Sequence, residues 1–507
     1  MHRTVGVDSI AAYVPRLYID LTQEWATARA PVLGEGSVDK LVGKVTDGVG
    51  VRRMAIADAH QDAATLAGMA AKRVIDAADI DPRDIDYIAV GTETTVDQSK
   101  SCAAYVLGML ERHYGVSLRH AGAPQFQFAC VGATYALEAA ISRIRAGDNT
   151  KRYSLVVASD ISKYPLATAG EYTQGAGAVA LLVSENPRLL ALEPGLSATV
   201  TRDERDFFRP NWSSLAVVDG KYSIDVYLDC MQEAWVGYAK RAEALLGVPL
   251  GKLYDAVQYF LFHVPFPRMA EYAALRIFST SWLDDAGMRE RIATEVPVVS
   301  GALDSRASRQ QFERALSRTS LFRDAFARKI GPSLSLSRDV GNVYSGSLYL
   351  ALISLFEQTR SRDLTGSRIA LGSYGSGASA KMLSAIVCKE YAPLVDRMRL
   401  HEELRPEHEG GTRVALSLSD YERLHGLADT EIDVGEAVAS KLRHGSGLSP
   451  AEGDALRAAL EKPRWRVMPR SASIRAPRGE FALARLGTCA TAERTDLGYR
   501  YYEWVEP

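Results

Sequence analysis

Apolar positions along the first half of the chain fall into two alternating rhythms. Short, mainly apolar runs at Thr4–Ile10, Ile85–Val90, Ser154–Ala158 and Ala176–Val183 predict strands. Between them lie stretches with apolar residues three and four apart. Asp62–Ala77 places Leu66, Met69, Ala70 and Val74 on one helical face. Ser101–Glu111 is helical in the same way, and Tyr135–Ala146 carries Leu137, Ala140, Ile141 and Ile144 at helical spacing. This alternation predicts an α/β fold built on a layered sheet.

The second half runs to a similar plan. Ala256–Phe262 is an apolar strand ending at His263, as the earlier strand ends near Glu93. Val340 to Ser347 opens a very apolar helix reaching Phe356, an echo of the segment after Cys130, with Asn342 near the position of the cysteine. Arg368–Leu371 is a strand followed by Gly372-Ser373-Tyr374-Gly375-Ser376-Gly377, which echoes Tyr172-Thr173-Gln174-Gly175-Ala176-Gly177. The long, degenerate repeat predicts a duplicated domain. The expected division is a first half over 1–185 carrying the nucleophile and a second over 186–507. Two polar or charged stretches, 281–329 and 403–469, read as insertions, and strand-like sequence returns at Phe481–Leu486 and Tyr499–Val505.

Composition narrows the function classes. The 507 residues carry 60 Lys+Arg against 62 Asp+Glu, so no overall field draws nucleic acid or an anionic membrane. No apolar stretch is long enough to span a bilayer. The N-terminus lacks the apolar core of a signal peptide. Five scattered cysteines, an odd number without metal-ligand spacing, fit reduced thiols in a cytoplasmic protein and no metal site.

Chemistry gathers where strands end. Cys130 lies in Gln125-Phe126-Gln127-Phe128-Ala129-Cys130-Val131-Gly132-Ala133-Thr134, between an expected strand and an expected helix. Backbone N–H groups and the helix dipole there favour a thiolate, so Cys130 is a candidate nucleophile. Cys102 is its rival, with Lys100 near enough to lower its pKa. A structural role is the plainer alternative for both, since free cysteine is usually buried and inert. Glu93 follows the strand Ile85–Val90 and is a candidate base, or else a solvated loop carboxylate. His263, before Pro265 and Pro267, is placed to donate to a carbonyl or move protons, or else is a core histidine satisfied by a backbone carbonyl. The glycine-rich turn 372–377 offers backbone N–H groups to an oxyanion, but its spacing fits neither a Walker loop nor a dinucleotide fingerprint.

These segments, in this order, resemble the hydroxymethylglutaryl-CoA synthase family of thiolase-fold condensing enzymes. The resemblance runs from about Val5 to about Leu400. It rests on Gly91-Thr92-Glu93 with Asp97-Gln98-Ser99-Lys100, Ala129-Cys130 with Gly132 and Thr134, and Ser159-Asp160-Ile161 with Lys163-Tyr164. It continues through Thr173 to Val179, Val218 to Ile224, His263 with Pro265-Phe266, Gly341-Asn342 with Ser347 to Leu350, and Ser373 to Gly377.

The family implies two thiolase-like halves, each layered α-β-α, and a homodimer. It implies no cofactor beyond its CoA-thioester substrates, acetyl-CoA and acetoacetyl-CoA. On its pattern Cys130 takes the acetyl group, Glu93 removes a methyl proton, and His263 and Asn342 hold the acetoacetyl oxygens. The N–H groups of Cys130 and Ser373 meet the oxyanion, Tyr164 lines the acyl pocket, and Thr173 and Ser376 belong to the substrate-binding turns. Arg268 stands where the family commonly has Lys and would pair with a CoA phosphate. Val131 and Tyr172 depart from the family pattern and are expected to reshape the acyl pocket. Two other readings stay open: a β-branching synthase taking an acyl group from an acyl carrier protein, and a non-catalytic acyl-CoA-binding protein on the same fold.

Overall fold

A computed structural model describes residues 3–210, 213, 215–296, 305–427, 449–454, 473–487 and 499–507. Its centre is a nine-stranded sheet. The strands are Val5–Tyr13 (β1), Ile85–Gly91 (β2), Gln125–Phe126 (β3), Tyr153–Ser162 (β4), Gly175–Glu185 (β5), Leu190–Thr201 (β6), Tyr259–Phe262 (β7), Arg368–Gly375 (β8) and Ser379–Val387 (β9). Their spatial order is β7-β8-β9-β6-β1-β5-β4-β2-β3. The strands β1 to β5 form one half and β6 to β9 the other. They meet only where β1 pairs with β6, at Gly6 opposite Ala191 and Val7 opposite Leu190.

Helices cover both faces. Ala63–Ala78 (α1) and Cys102–Tyr114 (α2) pack outside the first half. Gly132–Ala146 (α3) lies on its opposite face, while Gly220–Leu246 (α4) and Pro267–Asp284 (α5) pack outside the second half. Ser347–Gln358 (α6) joins α3 in one inner core that takes strand residues from both halves. Every residue of α6 from Ser347 to Phe356 is buried. A helix apolar all round has no solvent face, and its place between the two halves satisfies that demand.

Local chemistry sets the ends of these elements. Asp62 caps α1 by accepting from the N–H groups of Ala64 and Thr65, both at 3.0 Å, while Thr65 Oγ1 accepts the Asp62 N–H at 2.8 Å. This reciprocal box satisfies N–H groups that the first helical turn leaves open. The strands β4 and β5 are buried on both faces, which explains their unbroken apolar runs.

Several expectations shift. Of the run before Cys130 only Gln125–Phe126 is strand; Ala129 turns at φ 41°, and α3 begins at Gly132. The segment expected as one strand over Ala256–Phe262 instead ends a short helix, Leu250–Ala256, and then forms β7. The long helix α4 and the strand β6 carry no clean period in the sequence. In the stretch 281–329 the helices Ala286–Glu295, Arg306–Leu316 and Ser320–Lys329 bury Ile292, Phe312, Leu316 and Phe322 in the outer core of the second half. Much of 403–469 lies outside the described residues, but its helix Leu418–Leu427 packs Tyr421 and Leu424 against Trp25 and its neighbours. Glu480–Leu486 and Arg500–Val505 pair as an antiparallel hairpin that sets Phe481 on α1 and α2.

The junction of the two halves leaves no room for a side chain at Gly6, where a Cβ would stand 1.9 Å from the Leu190 carbonyl oxygen. Gly6→Ala is therefore expected to lower unfolding free energy by at least about 2 kcal/mol, measured by urea denaturation with circular dichroism. Unchanged stability would show that the junction yields.

Candidate active site

The ends of β2, β4 and β8 and the start of α3 converge on one small volume. Backbone contact there is close enough to require glycine: a Cβ on Gly91 would lie 2.3 Å from Ala133 Cα, and one on Gly375 would lie 2.8 Å from Val131 Cγ1. The close approach brings Glu93, just past β2, to the cysteine just before α3. The Cys130 thiol donates to Glu93 Oε1 at 3.3 Å. Cys130 also contacts an apolar cluster formed by Tyr164, Phe207, Ala216 and Tyr344.

Asp160, fully buried near the end of β4, organises the loops around this pair. Its Oδ1 accepts from Thr92 Oγ1 at 2.9 Å, Glu93 N at 2.9 Å, Thr94 N at 3.0 Å and Thr94 Oγ1 at 2.9 Å. Its Oδ2 accepts from Ser345 N at 3.0 Å and Ser345 Oγ at 2.5 Å. One carboxylate thus ties the Glu93 loop to the loop that carries Tyr344. Burial still raises its pKa, although these donors pull the other way.

The electrostatics contradict one expectation. Burial pushes the Cys130 thiol well above its ordinary value, and the neighbouring Glu93 and Asp160 add to the rise. The helix N-terminus contributes only about 0.3–1 kcal/mol. That is too little against desolvating a thiolate beside two carboxylates. The resting sulfur is therefore a thiol, and its proton has a route out through Glu93. Burial pushes Glu93 up to about 7, with Asp160 assisting and Arg209 opposing. A carboxyl in that range exchanges protons near neutral pH. Cys102, the rival, is fully buried, and burial drives its thiol upward. Lys100 does not rescue it, because its ammonium lies over the rings of Tyr105 and Tyr499, at 4.0 and 4.7 Å.

His263 follows β7, and its N–H donates to the Gly372 carbonyl at 2.7 Å. The ring is buried, which lowers its pKa to about 3 and keeps it neutral. Among the described residues its Nδ1 has no hydrogen-bond partner. Buried polar groups normally have a partner, so this nitrogen is available to hydrogen-bond a ligand. Asn342 is held through Oδ1, which accepts from Tyr344 N at 2.9 Å and Ser347 Oγ at 3.0 Å. Its Nδ2 is then the end left to face a ligand. The Asn342 N–H donates to the Thr173 carbonyl at 3.0 Å, and Thr173 Oγ1 donates to Gly170 at 2.8 Å. Ser373 Oγ shares a hydrogen bond of 2.7 Å with Thr134 Oγ1, and Ser376 sits half-buried just past β8.

Three residues sit differently from expectation. Tyr172 packs edge-on to Trp25 with ring centroids 6.3 Å apart, in a separate cluster from the one around Cys130. Val131 is fully buried against Gly375. Neither belongs to the apolar cluster at the cysteine. Arg268, at the start of α5, spends its guanidinium on the Gly48 carbonyl at 3.0 Å, the Asp47 carbonyl at 2.7 Å and the Glu271 carboxylate. It also lines a cleft of about 350 Å³ with Glu271, Ser317, Arg318, Phe322, Arg323 and Phe326.

Sequence reasoning passed over Arg209, Ser345, Tyr344 and Phe207. Asp160 carried a legible sign, a carboxylate inside the apolar run 153–161, where a charge is costly unless fully bonded. Arg209 carried none.

The paired α-β-α halves with shared inner helices define a thiolase-like α/β protein. Residues 1–187 match the N-terminal family model of hydroxymethylglutaryl-coenzyme A synthase, and residues 190–421 match the C-terminal one. The chain belongs to the hydroxymethylglutaryl-CoA synthase family. It is 33% identical over 453 residues to the hydroxymethylglutaryl-CoA synthase of Haloferax volcanii, covering 85% of this chain and 93% of that one. It is 34% identical over 431 residues to that of Enterococcus faecalis, covering 85% and 94%. A solved structure, MvaS in complex with 3-hydroxy-3-methylglutaryl coenzyme A, superposes with a TM-score of 0.74 at 32% identity, covering 100% of both chains.

Two outcomes follow from the geometry. Asp160→Ala removes the acceptor shared by six hydrogen bonds, leaving the Thr92 hydroxyl and the Glu93 and Ser345 N–H groups without one, and should cost at least about 3 kcal/mol of stability in urea denaturation. A loss below 1 kcal/mol, to within about 0.5, would contradict the organising role given to it. By ¹⁵N NMR, the His263 ring should stay neutral from mildly acidic to alkaline pH, because its pKa of about 3 lies below that range. A protonation step near neutrality would contradict its burial as the dominant influence.

Proposed function

We propose that this chain condenses acetyl-CoA with acetoacetyl-CoA to give hydroxymethylglutaryl-CoA, through an acetyl thioester on Cys130. The observation that carries the reading is the 3.3 Å contact between Cys130 Sγ and Glu93 Oε1, in a chain that belongs to this family.

The chemistry follows from the residues. Glu93 takes the thiol proton as the sulfur attacks the acetyl carbonyl, and returns it to the departing CoA sulfur. Backbone N–H groups of Cys130 and Ser373 stabilise the tetrahedral oxyanion. Glu93, again ionised, removes a proton from the methyl of the acetyl thioester. The resulting carbon attacks C3 of acetoacetyl-CoA and forms the new C–C bond. His263 through its ring and Asn342 through its amide hydrogen-bond the acetoacetyl oxygens, and the new alkoxide takes up the proton that Glu93 removed, passed on through the imidazole. Water then cleaves the Cys130 thioester, releasing the product and restoring the thiol. Tyr164, with Phe207 and Tyr344, walls the acyl group. Arg318 and Arg323, in the cleft that Arg268 also lines, offer guanidinium groups to the CoA phosphates.

A homodimer suits the fold, since β3 is an edge strand of the sheet only a few residues from Cys130. Among the described residues no helix is long and apolar enough to cross a membrane. A cytoplasmic setting with reduced thiols completes the reading.

Purified protein with acetyl-CoA, offered acetoacetyl-CoA or an acetoacetyl-carrier protein, should form product from the CoA substrate, identified by mass. Cys130→Ala should abolish it. Product formed only from the carrier substrate, or full activity in Cys130→Ala, would overturn the proposal. The condensation rate should rise with pH through about 7, as Glu93 loses its proton. The sign follows from its raised pKa: below that value the base is protonated and idle. Sedimentation should give a dimer.

A further inference from the structure

Arg209 follows the short strand Phe207–Phe208, whose Phe207 walls the Cys130 cluster. Its side chain reaches back to the Glu93 loop. Nη1 donates to the Glu93 backbone carbonyl, and Nη2 lies 3.4 Å from Glu93 Oε2. The guanidinium carbon stands 5.8 Å from the centre of the Tyr344 ring. Nε is buried without a hydrogen-bond partner among the described residues.

The ionisable groups facing Glu93 come from four directions. Cys130 lies on the turn before α3, Asp160 on β4, Tyr164 on the loop after β4 and Tyr344 on the loop before α6. Each of these is neutral or negative. Among the described residues Arg209 is the cation that faces Glu93. Its planar fork is also the shape that holds a backbone carbonyl and a carboxylate of one residue together, which a lysine ammonium does not reproduce.

We propose that Arg209 is the positioning residue of Glu93: it holds Oε2 so that Oε1 turns to the cysteine sulfur, and it supplies the charge that keeps the carboxylate form available beside Asp160. This rests on Glu93 being the base in the condensation proposed above. It assigns a function to a side chain that otherwise buries part of a guanidinium with an unsatisfied nitrogen, an arrangement that costs stability.

The test is the pH dependence of kcat in wild type, Arg209→Gln, Arg209→Lys and Glu93→Gln, with circular dichroism of each. In Arg209→Gln the acidic limb should move up by at least about one pH unit, because the opposing charge is gone, while KM changes by less than about threefold. In Arg209→Lys the limb should stay near its wild-type position, with kcat down at least about tenfold because the fork is lost. A folded Arg209→Gln whose limb does not move overturns the proposal. If Arg209→Gln does not fold, the lysine variant decides: wild-type kcat, or a displaced limb, overturns it. Glu93→Gln separates the two readings. An acidic limb that survives in this variant removes the base, and both readings fall. A limb lost in Glu93→Gln but unmoved in Arg209→Gln overturns only the role of Arg209.

Discussion

The site depends on one buried carboxylate that is not itself expected to react. Asp160 accepts hydrogen bonds from Thr92, Glu93, Thr94 and Ser345, and so joins two loops that arrive from different halves of the chain. It fixes the Glu93 N–H, while Arg209 holds the Glu93 carbonyl. Leaving such a carboxylate unbonded in the interior would be costly, and leaving its donors unbonded would be costly too. Both penalties vanish only in this arrangement. The demand for hydrogen-bond partners therefore fixes the geometry together with the close packing at Gly91 and Gly375.

The same burial sets the working charges. Glu93, Asp160 and Cys130 share a small volume in which each added negative charge raises the cost of the next. The sulfur keeps its proton, Glu93 rises to about 7, and the two differ in the direction a proton relay needs. A helix N-terminus, often sufficient for an exposed thiol, loses here to desolvation. In the proposed reaction, reactivity comes from a base within reach and not from a resting thiolate. His263 follows the same logic with the opposite sign: burial keeps it neutral, fit to donate a hydrogen bond and poor as a cation.

Much of this was legible in the sequence where composition alone decides. Unbroken apolar runs mark β4 and β5 because those strands are buried on both faces. The period of Leu66, Met69, Ala70 and Val74 marks α1 because that helix has one wet face. The order of Glu93, Cys130, His263 and Asn342 at strand ends carried the family resemblance. What stayed hidden depends on contacts between distant segments. The proton on Cys130 is kept by burial first, then by Glu93 and Asp160, thirty-seven and thirty residues away, so the local strand-to-helix pattern misreads it. Tyr172 looks like a pocket residue by its neighbours in sequence, yet it turns to Trp25. Arg209 has no period or motif to announce it, and only the fold brings it to Glu93.

The central claim is that Cys130 carries the acyl group. Wild-type protein mixed with acetyl-CoA alone, quenched in acid and digested, should yield one acetylated peptide, the one that contains Cys130, with the label removed by hydroxylamine. An acetyl group found on another residue, or no acetylated peptide after rapid quenching over a range of times, would contradict the account.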